Sequence, residues 1–207
     1  MSTTLESVLV RALSPQEQDT SDAMSDRILD AALERVAAFG VRRTTMDDVA
    51  EAAGVGRMTV FRRFGSKDAL MEILAVREAR RFLDAIDEAA GGIEDPVERI
   101  VETSVVALRF ASTNPLLGRL SRLEPETVLS ILRADTPPLM SIARSYAKAQ
   151  LLKDRDAFGE IDVDLVAEGL VRMALSFILV PAGPVPLEDE DATRAFARAT
   201  LVPLLRG

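Results

Sequence analysis

Between Thr44 and Lys67 the sequence TTMDDVAEAAGVGRMTVFRRFGSK leaves room for two short helices and a tight turn, and for little else. Thr44 or Thr45 can accept from the free backbone N–H groups of a first helical turn, with Asp47 or Asp48 three residues on, a carboxylate form of the capping box. Val49 and Ala53 then share a face at i, i+4, and Ala50 is small enough for a second helix to cross closely. Gly54 supplies the positive φ that ends the first helix, and Val55 follows as an apolar plug. The second helix, about Arg57 to Phe64, turns Val60 and Phe64 inward and leaves Arg57, Met58, Thr59, Arg62 and Arg63 pointing away. Its outer face is basic.

A small-residue crossing, a glycine turn and a cationic second helix are the physical requirements of a helix-turn-helix: the first helix crosses the DNA backbone and the second enters a major groove ~12 Å wide. A plain helical hairpin with a solvated charged face carries the same short pattern, and the flanks separate the two readings. Ahead stands RILDAALERVAAFG from Arg27 to Gly40, and behind stand Ser66-Lys67-Asp68-Ala69-Leu70. Taken in order with Thr-Thr-Met-Asp-Asp-Val-Ala, Ala-Gly-Val and Thr-Val-Phe-Arg-Arg-Phe, the stretch from Arg27 to Leu74 resembles the N-terminal domain of the TetR family of transcriptional regulators.

The resemblance implies an all-α fold: an N-terminal arm over 1–22, a three-helix DNA-binding domain over 23–70, and a larger helical effector-binding and dimerisation domain over 71–207. It implies a bacterial, cytoplasmic homodimer on a palindromic operator in double-stranded DNA, most simply a repressor released by a small, largely apolar effector, with no cofactor. Lys67 resembles the family's phosphate-contacting lysine. The chain also departs from the family pattern. Gly56 stands where a capping residue is frequent, at a cost of only a few tenths of a kcal/mol. Phe61 replaces a tyrosine whose hydroxyl meets a phosphate, and with Met58 it is expected to pack on a sugar or a thymine methyl instead. Arg63 stands where an aromatic residue or histidine is frequent and adds a phosphate or guanine contact. Arg42 and Arg43, just beyond the first helix, are positioned for phosphates. The expected DNA-binding set is therefore Arg42, Arg43, Thr44, Thr45, Arg57, Met58, Thr59, Phe61, Arg62, Arg63 and Lys67.

Composition narrows the alternatives. The chain has no Cys and no His, which removes Ser-His-Asp and Cys-His nucleophilic sites and the usual zinc sites. The rival class, an enzyme or carrier using an apolar cavity with DNA binding incidental, thus has no acid–base constellation behind it. Net charge is −8, unexpected for a DNA-binding protein until it is divided along the chain. Residues 25–81 hold 11 basic and 9 acidic side chains, whereas 82–207 hold 13 and 20. The positive part coincides with the helix-turn-helix, and the acidic remainder should face away from DNA. The N-terminus lacks the basic start of a secretory signal, and no apolar run approaches the ~20 residues of a membrane span.

Apolar spacing predicts a helix over about 25–39 with Ile28, Leu29, Ala32, Val36 and Phe39 inward. Ser66 caps another that runs to about Ala89, roughly 30 Å at 1.5 Å per residue, long enough to leave the DNA-binding part and act as a lever. Further helices follow from Asp95-Pro96 to about Ser112, in short pieces over 114–122 and 125–134, over 138–156, from Asp162 or Asp164 to Val180 and over 191–205, with Pro203 bending the last one. From Leu170 to Val180 the pattern is apolar nearly all round, so that helix needs two partners. Its own core supplies one. Most simply, the same helix of a second subunit supplies the other, through Leu170, Ala174 and Ile178 with Phe196, Ala199 and Val202, where the resemblance also implies dimerisation; a central core helix in a monomer is the alternative. The candidate effector-pocket residues are Arg109, Phe110, Thr113, Leu120, Leu123, Leu139, Met140, Ala143, Tyr146, Met173 and Phe177, since periodicity does not separate a lined cavity from a packed core. A calcium loop at Asp154-x-Asp156 fails, because Phe158 and Leu165 occupy ligand positions. No metal site is expected.

Overall fold

The computed structural model describes residues 22–114, 117–118, 138–180 and 183–206, without the side chains of 111, 138, 139, 142 and 178. The expected arm, apart from Asp22, and most of the two short helical pieces after Asn114 lie outside this set. Among the described residues there are eight α-helices: α1 Ala23–Phe39, α2 Met46–Ala52, α3 Arg57–Phe64, α4 Lys67–Ala90, α5 Pro96–Thr113, α6 Pro138–Lys153, α7 Val163–Leu179 and α8 Glu190–Arg206.

Helix α1 begins two residues before Ser25 because Asp22 is the cap, its carboxylate accepting from the Ser25 N–H at 2.8 Å. It ends at Gly40, whose φ of 85° turns the chain away while its N–H still donates to the Val36 carbonyl. Ile28, Leu29, Ala32 and Val36 are buried as the spacing requires. Phe39 is not: it is 49% exposed, with the Arg35 guanidinium 5.8 Å from its ring. Periodicity gives a side chain's direction, and says nothing of where along the helix the packed stretch ends.

The two candidate caps of α2 resolve cleanly. Thr45 accepts from the Asp48 N–H at 3.2 Å, and the Asp48 carboxylate accepts from the Thr45 N–H at 2.9 Å, so the box is Thr45 with Asp48. Gly54 sits at φ 62°, and the Val55 N–H reaches back to the Ala50 carbonyl at 3.0 Å. Val49, Ala50, Ala53, Val60 and Phe64 then join the apolar face of α1 in one core, which Leu70 and Leu74 of α4 close.

Helix α4 is long enough to serve two cores. Beyond Leu74 it buries Val76, Glu78 and Ile86, and its Phe82 ring lies 4.8 Å from Phe110 of α5. Past α4, Ile100, Leu151, Phe158, Ile161, Ala167 and Leu205 form one cluster, and Val101, Val105, Ala197 and Leu201 another. Ion pairs stitch the helices around them: Arg194 of α8 holds Glu102 of α5 at 2.6 Å, and Lys148 of α6 holds Asp164 of α7 at 2.7 Å. Asp162 caps α7 and Asp154 pairs with Arg99, so the acidic run serves as loop and cap. Gly159 is required by close approach: its N–H donates to the Leu205 carbonyl, and a Cβ there would come within 2.2 Å of the Arg206 carbonyl oxygen. Helix α8 continues through Pro203 to Arg206.

Candidate nucleic-acid interface

With Val60 and Phe64 anchored in the first core, helical geometry turns the rest of α3 outward. Among the described residues Met58 is the most open of the exposed large apolar side chains, at 76%. Arg57 and Arg62 are exposed and Thr59 is half-buried. Arg42 and Arg43 are exposed on the loop between α1 and α2. Lys67, the first residue of α4, donates to the Arg42 carbonyl at 3.1 Å, which brings these three cations to one edge of the unit. Among the described residues no partner side chain neutralises Arg42, Arg43 or Arg62, and all three are available to phosphates.

Five of the expected contacts have partners or burial that the sequence reading did not give them. Thr44 is 1% exposed and its hydroxyl donates to the Gly40 carbonyl at 2.8 Å, so it closes the loop after α1 and cannot reach DNA from there. Thr45 is exposed, but its hydroxyl is engaged with Asp48 at 2.7 Å. Arg63 is held at the far end of α3 by both Asp22 oxygens, at 2.9 and 2.7 Å, and by the Ser25 hydroxyl at 2.9 Å. The Ser25 N–H first, and then Arg63, draw the Asp22 carboxyl below the usual carboxylate range. Arg63 therefore ties α3 to the start of α1. Phe61 is half-buried against the first core, and the Arg57 guanidinium lies 5.2 Å from its ring centroid. Arg57 also donates to Asp47 at 2.9 Å. Asp22 and Asp47 were missed as members of the site, because a carboxylate suited to a helix start gives no sign of a cation brought beside it by tertiary folding.

Among the described residues, the expected pocket residues make separate contacts. Arg109 donates to Glu190 at 2.6 Å while its buried Nε has no partner among the described residues, and Thr113 is exposed with its hydroxyl on the Arg109 carbonyl. Phe110 packs on Phe82, and Met173 packs on the Val101–Leu201 cluster. Tyr146 donates to Asp87 at 3.1 Å; burial first, and then the Asp87 charge, push its hydroxyl up to about 12. Met140 and Ala143 are half-buried. Leu120 and Leu123, and the side chains of Leu139 and Ile178, lie outside the described set.

The expected interface residues divide in the same way. Leu170 packs against both later clusters and Val202 against one of them, so much of each is spent within the chain. Phe196 meets Phe177 edge-on at 5.5 Å, which joins a residue assigned to the interface with one assigned to the pocket. Ala174 is half-buried and Ala199 is exposed. The open stripe of α7 is instead Leu165, 70% exposed, with Arg172 and Ser176, and it ends at exposed Val180.

Two family descriptions cover most of the chain: "Bacterial regulatory proteins, tetR family" over residues 28–74, and "Bacterial Tetracyclin repressor, C-terminal domain" over 95–200. The chain belongs to the TetR family. It is a DNA-binding transcriptional regulator, and the first match falls on the helix-turn-helix built above. The HTH-type transcriptional regulator AlkX of Mycobacterium tuberculosis is 25% identical over 189 residues, covering 89% of this chain and 86% of that protein. Among solved structures, a fatty acid degradation regulator, FadR from Bacillus halodurans, superposes with a TM-score of 0.66 at 20% identity, over 91% of this chain and 98% of that one. The repressor AlkX from Dietzia, implicated in biodegradation of n-alkanes, gives 0.54 at 22% identity, over 93% and 96%. These TetR-like structures share the helix-turn-helix domain followed by a helical C-terminal domain.

Proposed function

We propose that this TetR-family regulator acts as a homodimeric repressor on a palindromic operator and is released by a small, largely apolar effector. The observation that carries the reading is the pairing of an outward basic α3 with a cationic edge of Arg42, Arg43 and Lys67. In a two-fold dimer the two α3 helices would enter successive major grooves about 34–36 Å apart, or at a multiple of that spacing. The open stripe of α7 with exposed Ala199 of α8 supplies the two-fold surface. In this reading residues 23–70 form the DNA-binding domain and 71–207 bind effector and partner. Because α4 closes the first core and buries its later turns among the remaining helices, an effector that fits better in a non-binding arrangement would respace the reading helices through α4. A complete switch requires a differential affinity of about 5.5 kcal/mol.

Arg57 reads a base, and Arg42, Arg43, Arg62 and Lys67 hold phosphates. The test is selection of bound fragments from a random DNA pool at stated salt, followed by release with apolar small molecules. Fatty acids and n-alkanes belong in that panel because two structurally similar regulators are named for them. A palindrome is expected; Arg57→Ala should relax preference at one base pair per half-site, and Lys67→Ala should weaken all sequences alike. Equal losses on every sequence for both variants would overturn the assignment of roles.

A further inference from the structure

Helix α2 has two acidic residues in its first turn, and its cap uses one of them. Asp48 completes the box with Thr45, so Asp47 is free of capping duty, and its carboxylate meets Arg57 of α3. A carboxylate there works against phosphate binding. Its position is explained by Arg57, ten residues on, whose Nη1 it accepts from at 2.9 Å, while the guanidinium lies against Phe61 at 5.2 Å. Phe61 is itself held by packing on the first core. The arginine at the head of α3 therefore has one corner tied by charge and one face laid on an aromatic ring. Among the described residues, Nη1 alone of its three nitrogens has a hydrogen-bond partner.

We propose that Asp47 and Phe61 are the specificity-determining positioning residues of this regulator: together they hold the Arg57 guanidinium with its Nε–Nη2 edge free for a guanine O6/N7 pair. The proposal rests on the reading of Arg57 as a base contact. A guanidinium presents a rigid planar fork, and its discrimination between bases comes from meeting both guanine acceptors at once. A long exposed side chain otherwise surrenders rotamer freedom on binding and can settle on a nearby phosphate, where it carries no sequence information. Charge on one corner and a ring on one face remove much of that freedom beforehand. The exposed Arg57–Asp47 pair adds little to folding stability, so its effect falls on orientation. Phe61 lacks the hydroxyl of the family's tyrosine but keeps the ring, and the ring is what lies under the reading arginine.

The experiment compares binding of the selected operator with binding of its single-base variants, for full-length wild type, Asp47→Asn, Phe61→Leu, Arg57→Ala and the Asp47→Asn/Arg57→Ala double variant, at one salt concentration. Phe61→Leu keeps an apolar side chain against the core and removes the ring. Arg57→Ala should flatten preference at one base pair per half-site. Asp47→Asn and Phe61→Leu should each cut discrimination at that same pair, by about three- to tenfold. In the Arg57→Ala background, Asp47→Asn should change nothing further there. Two results would overturn the clamp: Asp47→Asn raising affinity for all sequences with discrimination intact, which is charge relief alone, or a loss of discrimination that persists in the double variant. If Arg57→Ala leaves every base preference untouched, the base-contact reading fails with it, and that outcome is distinct from a clamp that fails while Arg57 still reads. Unchanged urea unfolding of Asp47→Asn shows that a lost preference is not lost structure.

Discussion

Neighbouring residues of like chemistry have taken different roles according to which backbone groups lie in reach. Thr44 is sealed beneath the loop on the Gly40 carbonyl, while Thr45, one residue on, caps α2. Asp48 serves that cap and Asp47 crosses to α3. The Thr45 hydroxyl, and then its backbone N–H, hold the Asp48 carboxyl below the ordinary value of 3.8. Since the folded value is the lower one, the stabilisation is full above 3.8 and is lost as pH falls through the folded value. Thr45→Ala removes the cap and should lower stability at pH 7, where the Asp48 carboxylate is ionised. In urea melts, the gap between wild type and variant should narrow as the pH is taken below 3.8, the ordinary carboxyl value. A gap that stays constant down to the acid limit would show that Asp48 takes no part in the cap.

At the scale of elements, α4 decides how the reading unit is held. Its first turns contribute Leu70 and Leu74 to the first core, both almost wholly buried, although Lys67 at its head lies at the cationic edge. Truncating Leu70 leaves a cavity between α4 and the helix-turn-helix that the short helices cannot fill. Leu70→Ala should cost about 2–5 kcal/mol in equilibrium urea unfolding. A cost below ~1 kcal/mol would mean that α4 packs loosely on the reading unit and could not transmit a displacement to it. Helix α3 is in the opposite position. It is eight residues long with no side-chain cap at Gly56, so its order comes from Val60 and Phe64 in the core and from Arg63 on Asp22.

Across the whole molecule, a partly buried polar cluster links three helices. Glu78 of α4 is buried and accepts from Asn114, just after α5, at 3.1 Å and from Arg81 at 3.1 Å. Arg77 and Arg81 in turn hold Asp30 of α1, at 2.9 and 3.4 Å. Burial lowers the Arg77 guanidinium, with Arg81 adding to the effect, while Asp30 and Glu78 oppose it. Removing one member leaves a buried carboxylate short of a donor. Asn114→Ala is expected to destabilise the chain by about 1–3 kcal/mol in urea unfolding, although Asn114 lies far from α3 in sequence. No loss at all would mean that water replaces the amide freely, and that the end of α5 is not tied to α4 through Glu78.

The sequence alone determined the elements and the family. Helix starts were legible at Ser66 and Asp95, where a cap precedes an apolar repeat, and the turn was legible in Gly54, because each depends on backbone chemistry within a few residues. The outward basic face of α3 was legible for the same reason, since 3.6-residue periodicity fixes a side chain's direction. Tertiary structure alone decided which of those side chains are free. The ties of Arg63 to Asp22 and of Arg57 to Asp47, the sealing of Thr44 and the exposure of Phe39 all follow from how helices meet. Likewise, Leu170 turned into the chain's own core while Leu165 stayed open, because an apolar all-round helix does not say in its sequence which side its own chain will cover.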